Sequence, residues 1–174
     1  MRLEWRDVQI GCTVINTSLT SAETAELQRL AAGKDVLEIG SAYGYSTVAL
    51  ALVADRVTTV DPHTGHDSFG TMVRNLDANG LTGKVWWIVG RSQDILPTLA
   101  PAFDLVWIDG DHTADVVEHD VQWALKLLRP GGVIACHDYG EDTCPGVQVA
   151  LDKMFGESAF ELIDTLAIYR DARG

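Results

Sequence analysis

The sequence predicts an α/β fold of the doubly wound type, in which a mostly parallel sheet of seven strands is covered by helices on both faces. Short apolar segments alternate with helical segments along the 174 residues. Such alternation is typical of parallel sheets whose strands are buried on both faces. A glycine-containing turn separates the first of these strands from its helix, and two consecutive strand segments near the C-terminus predict an antiparallel hairpin at one edge.

The predicted elements follow one another with short loops. A helix over 20–32 begins at Thr20 or Ser21, with Glu23 at the capping-box position. Strands are then predicted at 36–39, 57–61, 85–89, 103–109, 133–136, 160–163 and 166–169, with helices at 47–53, 67–79, 93–99, 114–128 and 147–155. We therefore expect one domain over 1–174, with an N-terminal helical segment over 1–33 and a core over 34–174.

Composition argues against several classes of partner. The net charge of −12 disfavours a nucleic-acid-binding surface, which needs a basic face. No apolar run approaches the ~20 residues of a membrane span, and residues 1–7 mix charges of both signs, unlike a secretory signal. Cys12, Cys136 and Cys144 form no Cys-x-x-Cys pair and are expected as free thiols. We expect a cytoplasmic protein with no membrane or nucleic-acid partner.

Residues with useful chemistry gather where the predicted strands end, which is where open α/β sheets bind ligands. The spacing Glu-x-Gly-x-x-x-Gly over 38–44 differs from the Gly-x-Gly-x-x-Gly of dinucleotide binders, and no Gly-Lys-Ser/Thr follows it. The turn is therefore predicted to bind something other than a pyrophosphate. Later strand ends carry Asp61, Ser92-Gln93, Asp109-Gly110-Asp111-His112 and His137-Asp138-Tyr139.

These motifs together resemble the S-adenosylmethionine-dependent methyltransferases of the Rossmann-like class. Within that class, residues 36–146 are similar to the catechol and caffeoyl-coenzyme A O-methyltransferases and their antibiotic-tailoring relatives. Residues 38–46 resemble the first motif of this group, residues 90–97 resemble its stretch after the third strand, and Cys144-Pro145-Gly146 recurs after the fifth strand. The resemblance implies a Rossmann-like methyltransferase fold, S-adenosylmethionine as cofactor and a small hydroxylated molecule as substrate.

The resemblance also implies roles for individual residues. Gly40 and Ser46 would contact the methionine part of the cofactor, and Asp61 would hold its ribose, where catechol enzymes have Glu. Asp109 would serve both the cofactor site and catalysis, with His112 standing where catechol enzymes carry a lysine base. The remaining implied roles are cofactor binding by Glu38, Ser41, Ser92 and Gln93, and divalent-cation binding by Asp109, His137 and Asp138.

The chemistry of methyl transfer supports such a site. The protein must align and deprotonate the nucleophile, and a divalent cation can do both. A neutral His112 near that cation can accept the proton at pH 7, because an unperturbed imidazole titrates near 6.5. The family pair Asp-Asn is replaced by His137-Asp138, and an imidazole favours Mn²⁺, Zn²⁺ or Fe²⁺ over the Mg²⁺ that the resemblance implies. His137 either binds the cation or lies behind the ligands.

Three functional hypotheses follow. The favoured one is a metal-assisted O-methyltransferase acting on a small molecule. The second is a methyltransferase that needs no metal or methylates nitrogen. The third is a non-haem metal oxygenase or a metallohydrolase that uses His112, His137 and an Asp, which leaves the glycine turn unexplained. We expect residues 1–19, 62–70 and 139–146 to contact the substrate, and the apolar closing strands fit a homodimer.

Overall fold

The structure is a computed structural model that describes residues 4–173. The strands are β1 Arg6–Ile10, β2 Thr13–Thr17, β3 Asp35–Ile39, β4 Arg56–Asp61, β5 Val85–Val89, β6 Phe103–Ile108, β7 Leu128–Cys136, β8 Glu161–Ile163 and β9 Leu166–Arg170. The helices are α1 Ser21–Ala31, α2 Tyr45–Ala51, α3 Ser68–Ala78, α4 Ser92–Ile95, α5 Ala114–Leu127 and α6 Pro145–Phe155. Within 4–173, none of the helices has both the length and the hydropathy needed to cross a lipid bilayer.

A seven-stranded sheet forms the centre of the fold, in the order β5–β4–β3–β6–β7–β9–β8. Strands β3 to β7 are parallel to one another, and β9 pairs antiparallel with both β7 and β8. This confirms the doubly wound sheet and the closing hairpin. After β3 the chain moves outward through β4 and β5, then returns to the other side of β3 as β6. The carboxyl ends of β3 and β6 therefore form the switch point where such sheets bind ligands.

The two faces of the sheet bury separate apolar layers. On β6, Leu105 and Trp107 face the layer formed with α1, α2 and α3, whereas Val106 and Ile108 face the layer formed with α5 and α6. Successive strand residues point to opposite faces, so a strand buried on both sides appears in the sequence as a continuous apolar run. Burial of each such large side chain contributes about 1.5–3 kcal/mol and holds the strand ends of the site in place.

The N-terminal segment differs from the prediction of a helical segment over 1–33. Before α1 the chain forms the hairpin β1–β2, whose arms are rich in β-branched residues that favour strands. Gly11 has φ +54°, a conformation suited to the two-residue turn. Asn79 fixes the hairpin to the end of α3, since its side chain accepts from Cys12 N at 2.6 Å and donates to Thr13 Oγ1 at 3.0 Å.

Two local predictions have different outcomes. The capping box at the start of α1 is confirmed, with Thr20 and Glu23 exchanging both hydrogen bonds. The strand predicted over 133–136 is longer, because β7 begins at Leu128. Its register with β6 shifts between Phe103 and Leu105. A bulge of this kind accommodates the extra residues, so the Pro-Gly-Gly segment does not end the strand.

Candidate active site

A cavity of about 820 Å³ opens at the carboxyl ends of β3, β4 and β6. Its size suits a nucleoside cofactor together with a small second molecule. Two predicted site residues, Glu38 and His137, are buried behind its wall rather than in it. The predicted site residues that line the cavity are Gly40, Ser41, Ser46, Asp61, Ser92, Gln93, Asp109, His112 and Asp138.

The three segments predicted to contact the substrate all contribute to the wall. Residues 16–19 of the hairpin arm and the following loop form one side, and Trp5 stands at its edge with 59% of its surface exposed. Pro62 and Thr64 follow β4, and Cys144 precedes α6. The cavity is thus bounded by the strand ends that carry the predicted cofactor residues on one side and by the predicted substrate segments on the other.

A glycine is required at position 40 because the end of the neighbouring strand β6 lies so close, in addition to any contact with a ligand. Gly40 has φ +92°, and a Cβ atom at this position would lie 2.2 Å from the Asp109 carbonyl oxygen. The amide of Asp109 donates to the Ile39 carbonyl at 2.8 Å. A side chain on residue 40 would therefore separate the ends of β3 and β6, whose close approach forms the base of the site.

Glu38 supports the glycine turn from beneath. Its carboxylate is completely buried and accepts hydrogen bonds from the hydroxyls of Ser46 at 2.5 Å and Thr47 at 2.7 Å. Burial raises the pKa of Glu38 to about 7, although these hydroxyls oppose the shift. The structure therefore does not bring the predicted Glu38 to the cavity. Glu38 anchors the first turn of α2. Its hydrogen-bond partner Ser46, unlike Glu38 itself, lines the cavity.

Asp61 organises the opposite side of the same turn. Its Oδ2 accepts from the backbone amides of Ser41 at 2.8 Å and Ala42 at 2.9 Å, and its Oδ1 accepts from that of His63 at 2.6 Å. Ala42 and His63 both have positive φ, which costs energy for residues other than glycine. The Asp61 carboxylate stabilises both conformations while it lines the cavity.

Ser92 and Gln93 stand together at the start of α4. Ser92 is buried, and its hydroxyl donates to Gln93 Oε1 at 3.3 Å. Gln93 is exposed at the cavity wall. Arg91, which immediately precedes this pair, also lines the cavity and was not predicted as a site residue. Its place next to a recognised motif is the signal that could have identified it.

Two carboxylates and two imidazoles meet where β6 and β7 end. The Nδ1 atom of His137 lies 2.9 Å from Asp138 Oδ1 and 3.5 Å from Asp109 Oδ1. The Nε2 atom of His112 lies 2.8 Å from Asp138 Oδ2 and 3.8 Å from Asp109 Oδ1. The structure thus brings together the four residues predicted for the metal site and the base. Asp138 has φ +64°, a strained value of the kind found at functional sites.

The charges of this cluster change the expected state of His112. The carboxylates of Asp109 and Asp138, which face the imidazole, raise the pKa of His112 to about 10. Burial alone would lower the pKa of His137, but Asp109 and its other carboxylate neighbours raise it to about 12. Without a cation, the two carboxylates that face His112 favour its imidazolium form. A neutral His112 beside a bound cation stays a prediction.

The three predicted metal ligands have a geometry that suits a divalent cation. Their ligand atoms lie within 4.8 Å of one another, and adjacent ligands of an octahedral ion are about 3 Å apart. His137 Nδ1 and Asp138 Oδ1 are buried and close, yet among residues 4–173 neither has a hydrogen-bond partner of acceptable geometry. Two buried ligand atoms that lie close together without a hydrogen bond between them are suited to bind the same cation.

Sequence reasoning missed one carboxylate of this region. Glu23 was predicted only as a helix cap, but its Oε2 lies 3.4 Å from His137 Nε2, on the side of the ring away from the cavity. The two residues are 114 positions apart. A capping box gives no signal of such a contact, so the sequence alone could not have identified it.

Comparisons with known proteins agree with these observations. Residues 37–139 match the family described as a methyltransferase domain. A catechol O-methyltransferase from Mycobacterium tuberculosis is 36% identical over 137 residues, covering 67% of this chain and 60% of that protein. A catechol O-methyltransferase from Niastella koreensis is 35% identical over 142 residues, covering 77% and 62%. The chain spans about three fifths of the length of these curated relatives.

Solved structures share the fold. Cofactor-bound Rv0187 from MTB has a TM-score of 0.75 and 28% identity, covering 90% of this chain and 82% of that chain. The O-methyltransferase TomG from Streptomyces achromogenes, involved in tomaymycin synthesis and solved in complex with SAM, has a TM-score of 0.69 and 26% identity, covering 88% and 81%. These findings confirm the methyltransferase resemblance, and the chain belongs to the methyltransferase domain family.

Proposed function

We propose that this protein transfers the methyl group of S-adenosylmethionine to a hydroxyl of a small molecule. The observation that carries the proposal is the cavity at the β3–β6 switch point, with cofactor-type residues along one wall and the Asp109–His137–Asp138 cluster at one end. The relatives named catechol O-methyltransferases and the SAM-bound TomG support both the cofactor and the oxygen nucleophile.

The polar groups of the wall fit the three parts of the cofactor. We assign the methionine part to the turn around Gly40, Ser41 and Ser46, the ribose to Asp61, and the adenine to Ser92 and Gln93. The Ser41 hydroxyl supports this, since it is buried at the cavity and has no hydrogen-bond partner among the described residues. Asp61 has lone pairs left after its backbone contacts, because a carboxylate can accept about four hydrogen bonds.

We also propose that Asp109, His137 and Asp138 hold a divalent cation. Such a cation, when bound, lowers the pKa of a substrate hydroxyl and orients two neighbouring oxygens. Mg²⁺ follows from the family resemblance, whereas the imidazole of His137 favours Mn²⁺ or another transition metal. Asp109 lines the cavity and also belongs to the cluster, which supports a substrate oxygen close to the methyl donor.

His112 is the residue we assign to accept the substrate proton. It lines the cavity, its side chain is 39% exposed, and it contacts both Asp109 and Asp138. Those two contacts keep it protonated in the arrangement described. Asp109 and Asp138 would attract the imidazolium less strongly if they also held the proposed cation, and the pKa of His112 would then be lower. Asp109 then orients the imidazole toward the cavity.

Calorimetric titration with S-adenosylmethionine, with and without Mn²⁺ or Mg²⁺, tests this function. We expect cofactor binding in both conditions and methylation of a vicinal diol, such as a catechol, only when the cation is present. Cofactor binding with full activity after verified metal removal would favour the metal-independent or N-methylating alternative. Metal binding without any affinity for S-adenosylmethionine would favour the oxygenase or hydrolase alternative.

A further inference from the structure

We propose that Glu23 is a positioning residue for His137. Its buried carboxylate accepts a hydrogen bond from the Nε2–H group of His137, so that Nδ1 is the nitrogen that faces Asp109 and Asp138. The inference rests on the proposed function, because the orientation of His137 matters most if Nδ1 binds a cation. Nothing in the family resemblance or the relatives assigns Glu23 a role at the site.

The surroundings of Glu23 exceed what a helix cap requires. Its side chain is only 1% exposed. One oxygen accepts from the backbone amide of Thr20 at 2.8 Å, and the other accepts from the amide and the hydroxyl of Thr165 at 2.9 and 2.7 Å. A buried carboxylate is costly unless it is hydrogen-bonded. The donors from Thr20 and Thr165 stabilise the charged form of this carboxylate, which faces the imidazole.

This anion connects three distant segments at one ring. Thr20 caps α1 and Glu23 lies in its first turn, Thr165 precedes β9, and His137 follows β7. The β8–β9 turn and the N-terminal helix are therefore joined directly behind the His137 imidazole. Trp107 packs on the same ring with a centroid distance of 5.8 Å. Together these contacts leave the ring little freedom to flip.

The identity of the protonated nitrogen decides whether His137 can bind a cation. An imidazole that binds a cation through one nitrogen carries its single N–H on the other nitrogen. Asp109 and Asp138 lie on the Nδ1 side and would attract the proton there. A carboxylate on the Nε2 side offsets that attraction and directs the proton away from the cluster. Carboxylates behind metal-binding histidines commonly fix the tautomer in this way.

The test compares Glu23→Gln with Thr20→Ala. Glutamine has nearly the same volume but one acceptor oxygen and no charge, so it cannot serve both Thr165 and His137. Thr20→Ala removes the hydroxyl that accepts from the Glu23 amide at 3.1 Å and leaves the carboxylate in place. It therefore controls for weakening of the helix cap, and both variants should lower the melting temperature.

The first readout is histidine-selective ¹⁵N NMR of the metal-free protein, with the His137 signals assigned by comparison with His137→Gln. We expect a protected Nε2 proton on His137 in the wild type and in Thr20→Ala, and its loss or rapid exchange in Glu23→Gln. An unprotected Nε2 proton in the wild type would overturn the inference even if the variant fails to fold. So would an unchanged signal in Glu23→Gln.

The second readout is affinity for Mn²⁺, measured by the loss of its free EPR signal. We expect Glu23→Gln to weaken Mn²⁺ binding about 10-fold, with affinity for S-adenosylmethionine unchanged, and Thr20→Ala to change neither by more than about twofold. Equal Mn²⁺ affinity in wild type and Glu23→Gln would overturn the inference. If the wild type binds no Mn²⁺, the metal part of the proposed function fails, while a protected Nε2 proton still supports the Glu23 contact.

Discussion

Replacement of Asp61 by alanine should weaken binding of S-adenosylmethionine through two separable effects. The first is the loss of a charge-assisted acceptor for the ribose hydroxyls, which is worth about 1.5–3 kcal/mol and raises Kd about 10- to 150-fold. The second is loosening of the glycine turn, because the amides of Ser41, Ala42 and His63 lose their shared acceptor. That effect should lower the unfolding free energy by about 1–3 kcal/mol.

A ligand modification separates the two effects. Calorimetric Kd values are measured for S-adenosylhomocysteine and for an analogue that lacks a ribose hydroxyl, with the wild type and with Asp61→Ala. If Asp61 binds the ribose, removal of the hydroxyl costs affinity in the wild type and little in the variant. Asp77→Ala is the matched control, since Asp77 is an exposed aspartate on α3 outside the cavity wall. An equal cost of hydroxyl removal in both proteins would place the ribose elsewhere.

Three further predictions concern other parts of the molecule. Asp138→Ala should lower turnover at least about 100-fold, since it removes a proposed metal ligand, while Kd for S-adenosylmethionine changes by less than about threefold. EDTA should cause the same loss of turnover in the wild type. Added Mn²⁺ should restore turnover in the wild type but not in the variant. Trp5→Ala should raise the KM of an aromatic methyl acceptor about 2- to 10-fold through loss of an edge contact, leaving cofactor Kd unchanged; an unchanged KM would remove Trp5 from the substrate site. The pKa of Glu38 is raised to about 7 from its usual 4.5, so its contribution to stability is fully present below pH 4.5 and is lost as pH rises through 7. Relative to Glu38→Gln, the wild type should therefore lose up to about 3 kcal/mol of unfolding free energy across that range. A difference in unfolding free energy between the two proteins that stays the same at all pH values would contradict this.

The fold and much of the cavity could be predicted because the relevant signals are local. Strands buried on both faces appear as apolar runs, and the residue after each run lies at the ligand-binding edge of the sheet. Asp61 and Asp109 were placed correctly on that reasoning, since a strand end defines its own position. The β1–β2 hairpin was not predicted because it forms a two-stranded ribbon outside the main sheet, although Gly11 suits a tight turn.

The state of a side chain could not be predicted, because it depends on partners far away in sequence. The intrinsic pKa of His112 gives no sign that Asp138, which lies 26 positions further along the chain, comes within 2.8 Å of it. Glu38 was expected at the cofactor because it precedes the glycine turn. Alternation along the strand instead directs it beneath the turn, where two hydroxyls from α2 satisfy it.

Glu23 shows how a correct local prediction can be incomplete. The three-residue spacing from Thr20 predicts a capping box, and the capping box is present. An exposed glutamate would form the same cap, so the burial of this carboxylate needs another cause. The contacts with His137 and Thr165 provide one, because they join the first helix and the last hairpin behind the candidate metal site. Small displacements of α1 would therefore shift the His137 imidazole, although α1 does not contribute to the cavity wall.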